Sequence, residues 1–251
     1  MPTEIAQLAT SELFWLALGA VLAGVEKAGI KGLSMAIVPV YALILGGKTS
    51  SGLVLLIFIS ADLLAIRHYF RYGQRDIIRN LFWPAVIGIL LGVILGNYIN
   101  DALFKDIIAV IIIGCLALMA FPAVSRQPAE KIRRPFWANT IGLITGFSTM
   151  IANVSSPILA IFLLALKLPK KEFIGTVVWF FFLINLVKLP FHIWVWETIQ
   201  PSTLLTLLYA IPFIVIGFLI GLQIVGRIAE RSFRYLIIGV TLIAALKLLF
   251  S

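Results

Sequence analysis

Charge, histidine and cysteine are all scarce in this chain, and each scarcity closes off a class of function. Only 12% of its 251 residues are charged, against about 25% in an ordinary soluble domain. A water-soluble fold of this size would lack the polar side chains to cover itself, whereas lipid tolerates an apolar exterior. Soluble enzymes, nucleic-acid-binding modules and disordered regulators are thereby excluded. Two histidines, His68 and His192, leave little for acid–base catalysis. No His/Cys cluster or Gly-rich phosphate loop is present, so neither a metal nor a cofactor is expected. The one cysteine, Cys115, lies in an apolar run, cannot form an intrachain disulfide and reads as a small core residue. The first dozen residues carry Glu4 and Glu12 but no Lys or Arg. They lack the basic start of a cleavable signal peptide, so the chain is expected to insert by its own helices.

What the chain has in abundance is apolar sequence, 61% of all residues. Apolar stretches lie near 13–25, 32–45, 53–67, 80–99, 103–121, 136–150, 157–166, 173–192, 202–225 and 235–250. Five of them, near 80–99, 103–121, 173–192, 202–225 and 235–250, approach or reach the ~20 residues that cross a bilayer. The pairs 13–25 with 32–45 and 136–150 with 157–166 read as shorter helices around breaks, Glu26–Gly32 and Ala152–Pro157. A break at membrane depth survives only where protein or a water-filled cavity satisfies its backbone.

The two halves match one another. An offset of 122 to 123 residues lays the first break on the second, Gly52 on Gly175 and Asp62 on Asn185. A later offset of 129 lays Gly88 and Gly92 on Gly217 and Gly221, Asp101 on Glu230 and Phe104 on Phe233. The fold class expected is an all-α polytopic membrane protein built from two repeats, 1–125 and 126–251. Each repeat is a broken or re-entrant helix pair (13–45; 136–166) followed by three transmembrane helices.

Basic residues decide the relative orientation of the halves. Fourteen of the twenty Lys and Arg fall in four connections: Arg67 to Arg79, Arg126 to Arg134, Lys167 to Lys171 and Arg227 to Arg234. The positive-inside rule places all four on the cytoplasmic side only if each broken pair enters and leaves on the same side. Three crossings then follow in each half, so the second half is inverted and both termini are non-cytoplasmic. The net charge of +9 marks loop sides and needs no nucleic acid. Trp83 and Trp137 fall at cytoplasmic helix starts, and Trp15, Trp194 and Trp196 near outer ends, as interfacial belts require. Trp179 does not fit and reads as packed inside or facing lipid.

Inverted repeats with interrupted helices are the architecture of secondary transporters, which bind substrate where the breaks meet. Lys27 and Lys31 would share a face were the first break helical, and an anionic substrate would justify their burial. In the competing reading Glu26 neutralises one lysine and the other snorkels to the interface. Gly29 and Gly32 shape that break. The second break offers Ser148, Thr149, Asn153, Ser155 and Ser156, with Pro157 opening the next helix; together they form a donor-rich site for an oxyanion. Small polar residues of this kind also serve as helix-packing contacts. Asp62, Asn185 and Lys188 lie within membrane segments as candidates for coupling or relay, and Asp62 could instead pair with Lys27 or Lys31. His192 is expected at the interface and His68 among surface arginines. The Gly88/Gly92 and Gly217/Gly221 pairs read as close helix packing, within the bundle or at a homodimer contact.

Several motifs together resemble the sulfite exporter TauE/SafE family. They are Gly24, Gly29-Ile30-Lys31-Gly32, Pro39 and the small-residue turn Gly46–Gly52 in the first half, and Gly146, Asn153–Pro157 and Gly175-Thr176 in the second. The resemblance implies transport of small sulfur-containing anions, such as sulfite, sulfoacetate or other organosulfonates, across a bacterial inner membrane. This chain departs from the family's glycine-rich turns by placing Lys31 in the first and Asn153, Ser155 and Ser156 in the second. The added donors favour a more highly charged anion. The function expected is therefore a secondary transporter of such anions working by alternating access, with lipid as its surroundings and no enzymatic activity. An anion channel, a scaffold subunit of a membrane complex, and an intramembrane serine hydrolase using Ser148 with His192 are the alternatives. The last lacks the Gly-x-Ser-x-Gly elbow.

Overall fold

A computed structural model describes residues 10–30, 32–120 and 135–224. Lys31, the basic connections at 126–134 and 227–234, the repeat mates Glu230 and Phe233 and the stretch 235–250 lie outside the described residues. Nine α-helices and no strand are found among the described residues. They are α1 (Thr10–Ala28), α2 (Ser34–Leu45), α3 (Gly47–Tyr69), α4 (Arg75–Tyr98), α5 (Asp101–Ala120), α6 (Pro135–Ala152), α7 (Ser156–Ala165), α8 (Lys170–Pro190) and α9 (Pro201–Ile224). Among these, α3, α4, α8 and α9 are long and apolar enough to cross a membrane.

Both breaks appear where the sequence places them, but three helices are longer than their apolar stretches. The first helix of each broken pair has 19 and 18 residues, about 28 and 27 Å at 1.5 Å per residue, while α2 and α7 have only 12 and 10. Each pair thus has a long arm and a short one. The stretch near 53–67, too short to span as read, belongs to a 23-residue helix. Its first turn contains Lys48-Thr49-Ser50-Ser51, which reads as a polar turn. Ser50 Oγ instead donates to the Gly47 carbonyl (3.0 Å) and Ser51 Oγ to the Lys48 carbonyl (2.6 Å), so these hydroxyls are satisfied within their own helix. The chain turns from α2 into α3 at Gly46 alone, whose φ of 90° suits a residue without a Cβ.

Two close crossings frame the bundle. Gly24 of α1 lies against the backbone of Ile214 to Phe218 in α9, and Gly217 lies back against Val21. In the other crossing Gly146 of α6 meets the backbone of Ala85 in α4, and Gly88 meets Leu143 and Phe147. Contacts climb in the same order along both partners, from Tyr209 Oη bonding the Leu13 carbonyl to Gly221 against Ala28, and from Gly142 at Leu81 to Met150 at Gly92. Both crossings are therefore parallel, and the paired glycines serve packing inside the bundle. Valine at position 146 would force its side chain into the Ala85 backbone. Gly146→Val is expected to cost about 1–3 kcal/mol, read as a lowered thermal midpoint in detergent. Gly114→Val, where nothing lies within 4 Å, should leave the midpoint in place.

Between the crossings, α3 and α8 run antiparallel through the centre. Gly52 at the start of α3 abuts Thr198 just beyond α8, while Gly175 near the start of α8 abuts Tyr72 just beyond α3. Their apolar spans are more deeply buried than those of α4 and α9. The outer pair turns residues such as Trp83, Ile87, Ile94, Leu205 and Leu208 outward, as lipid contact requires. Cys115 is buried in the core, as expected.

Two belt assignments need correction. Trp15, Trp83 and Trp194 are exposed, but Trp196 is buried, stacks edge-on against Phe104 and donates Nε1–H to the Val93 carbonyl (3.3 Å). His192, expected at the interface, is completely buried. The cause is local: the helix does not end at Pro190 but continues through one π turn, Phe191–Val195. His192 thereby extends the buried face that carries Asn185 and Lys188, and Trp196 closes the turn by donating its backbone N–H to the Phe191 carbonyl (2.8 Å). Trp179 is half-buried and donates to the Phe70 carbonyl (3.2 Å).

Candidate functional site

The ends of the two breaks meet, and the groups that meet are charged. Helix α1 stops at Ala28, and Gly29 and Gly32 come next with φ of 137° and 101°. The first break is therefore not helical, and Gly29 and Gly32 form the turn between the two arms. The turn leaves Glu26 and Lys27 on the last, buried turn of α1, pointing in different directions.

Lys27 Nζ lies 2.7 Å from Asp62 Oδ1 on α3, with side chains 6% and 0% exposed. It also sits over the rings of Phe58 and Phe181, at 5.0 and 5.3 Å from their centroids. Asp62 Oδ2 accepts a hydrogen bond from Asn185 Nδ2 of α8 (2.9 Å), so the two residues matched by the sequence repeat touch each other. One turn on, Lys188 Nζ donates to Asn153 Oδ1 (2.5 Å), Thr149 Oγ1 (3.4 Å) and Asn185 Oδ1 (3.4 Å). Asn153 Nδ2 completes the chain by donating to the Ser51 carbonyl (3.1 Å). Asn153 can reach both ways because it ends α6 at φ 50°, a left-handed conformation that asparagine tolerates better than most side chains. Along α3 the network runs from Ser51 to Asp62, about 16 Å, or half the ~30 Å thickness of the hydrocarbon.

Glu26 takes a different set of partners. Its carboxylate accepts from the backbone N–H of Ser34, the first residue of α2, from Ser34 Oγ (3.1 Å), and from Ser156 Oγ, the first residue of α7 (2.6 Å). One side chain thus joins the starts of both short arms.

The structure brings together Lys27, Thr149, Asn153 and Ser156 from the expected binding set and all three coupling candidates, Asp62, Asn185 and Lys188. Ser148, within α6, and Ser155, in the second break, are also buried. Ser155 Oγ, Thr145 Oγ1 and His192 Nε2 have no hydrogen-bond partner among the described residues. Ser148 has no histidine bonded to it there. His192 Nδ1 lies instead 2.8 Å from Thr198 Oγ1. Reading the sequence alone overlooked Glu26 and Ser34 as site residues. The available signal was a carboxylate in the break eight residues before a serine that opens the next apolar helix.

A bundle of lipid-facing helices around a buried, ion-paired network at the meeting point of two helix breaks defines a multi-pass membrane transport protein. The family model described as sulfite exporter TauE/SafE matches residues 16–248, and the chain belongs to that family. Neither the curated proteins nor the solved structures compared with the chain give a match.

Proposed function

We propose that the protein moves sulfite or a small organosulfonate such as sulfoacetate across the membrane by alternating access, with the anion held between the two breaks. The observation that carries this reading is Lys188. Its amine is completely buried, and its partners among the described residues are the neutral oxygens of Thr149, Asn153 and Asn185. Burying a cation whose direct partners are all neutral is costly, and an anion that joins it offsets that cost. Thr149 and Asn153, which touch Lys188, add a hydroxyl and an amide that can turn to an oxyanion held there. Lys27, already neutralised by Asp62, sets the local field, and Lys31 remains a candidate from the sequence.

Two further proposals concern architecture. The reciprocal contacts α1 with α9 and α6 with α4, and the antiparallel α3 and α8, support two inverted repeats at 1–125 and 126–251. The connection after α3 and the start of α8 also lie at one end. Gln74 bonds Thr176 and Glu172 there (3.0 and 2.8 Å), and Lys171 sits over the Tyr72 ring. Two of the four basic connections therefore share a side, supporting a cytoplasmic position for both.

The test is binding and counterflow with purified protein in liposomes, using sulfite, sulfoacetate, taurine and acetate. Saturable binding and exchange of sulfite or sulfoacetate in preference to acetate is the expected result. Flux that never saturates would make the protein a channel, and no binding of any anion would end the proposal.

A further inference from the structure

We propose that Glu26 is an internal competitor for the transported anion: its carboxylate occupies the oxyanion-binding donors on α2 and α7, and substrate binds by displacing it. The inference rests on the transport reading above. Its own basis is the set of groups that the Glu26 carboxylate touches. A helix start presents unpaired N–H groups and the positive end of the peptide dipoles, which is the arrangement that attracts anions. Here two such starts, from opposite halves of the chain, converge on one carboxylate through Ser34 N–H, Ser34 Oγ and Ser156 Oγ. Those donors, a backbone amide and two hydroxyls, are what a sulfite or sulfonate group would require.

A second observation shows that the donor set exceeds what Glu26 uses. Ser155, immediately before α7, is 1% exposed, makes no side-chain cap to its own helix, and its hydroxyl has no hydrogen-bond partner among the described residues. A carboxylate offers two oxygens; a sulfite or sulfonate offers three. The third would use the donor that Glu26 leaves idle. The charged groups nearby do not duplicate this role: Lys27 is held by Asp62 on α3, and Lys188 on α8 is bonded to Asn153. An internal anion on these donors occupies them when no substrate is bound and lowers affinity for substrate, which favours release after the site has turned to face the opposite side.

The test compares wild type with Glu26→Gln and Glu26→Asp for equilibrium binding of sulfite and sulfoacetate in detergent. The amide of Glu26→Gln competes weakly, and at least tenfold tighter binding is expected together with slower counterflow. Aspartate keeps the charge but is one methylene too short to span Ser34 and Ser156, so Glu26→Asp should also bind more tightly. Affinity at or below that of wild type in both variants would overturn the inference, and tightening in Glu26→Gln alone would reduce Glu26 to a remote charge. A third arm does not depend on the transported substrate. In Glu26→Ala, added formate should raise the thermal midpoint saturably while leaving wild type unchanged, and the absence of that rescue would also overturn the inference. Failure of wild type to bind any anion, with formate rescue intact, would instead count against the transport reading.

Discussion

Replacing Lys188 by methionine is expected to weaken binding of sulfite or sulfoacetate at least about a hundredfold, equivalent to about 2.7 kcal/mol. The amine is completely buried, so its attraction for an anion is little screened by water. Methionine has a similar length and fills the space between α8 and the second break without a charge. A lysine kept for the scaffold would cost stability when removed. The hydrogen-bond partners of Lys188 among the described residues are neutral, and replacing a buried charge by an apolar side chain of similar volume is often neutral or stabilising. The ligand-free thermal midpoint of Lys188→Met should therefore hold or rise while affinity collapses. Titration calorimetry and thermal unfolding on the same preparation separate the two effects. Unchanged affinity removes Lys188 from the site, and a large loss of stability reassigns it to the framework.

The opposite pattern is expected at Asp62. Asp62→Asn leaves the Lys27 cation buried 5.0 and 5.3 Å from the centroids of two aromatic rings without its carboxylate. Cation–π attraction supplies about 2 kcal/mol when desolvated, which does not replace the lost ion pair. Breaking one side of a buried pair costs about 3–5 kcal/mol, so the variant should unfold at a markedly lower temperature. Lys27→Met combined with Asp62→Asn removes the stranded charge and should recover most of that loss, giving a large coupling in the double-mutant cycle. A single variant as stable as wild type would show that Lys27 and Asp62 do not depend on each other.

The sequence was legible where one physical requirement dominates. The helices α4 and α9 are long uninterrupted apolar runs facing lipid, and their limits differ from the apolar stretches by only a few residues. The breaks were legible because glycine, asparagine and proline have backbone requirements that can be read locally. The start of α3 was not, since Lys48-Thr49-Ser50-Ser51 has the composition of a turn and becomes helical by bonding its serine hydroxyls to its own carbonyls. His192 and Trp196 defeated a composition rule for a different reason: the helix continues past Pro190 through a π turn, and His192 extends the buried face of Asn185 and Lys188. Within the site, the sequence repeat already matched Asp62 with Asn185. That Lys188 reaches Asn153, or that Glu26 reaches Ser156, depends on how helices from different halves approach, which no local pattern encodes.

The bond from Ser156 to Glu26 joins residues 130 positions apart, and that from Asn185 to Asp62 spans 123. At about 5–20 residues per second of synthesis, the first half waits roughly ten seconds for these partners. During that interval Glu26 and Asp62 lie in newly inserted helices whose matching groups have not yet left the ribosome. The nascent first half is therefore an unfinished membrane protein with exposed polar groups, open to chaperones and to quality control, until α7 and α8 arrive. Assembly of the site and completion of the fold are then one event, late in the life of the growing chain.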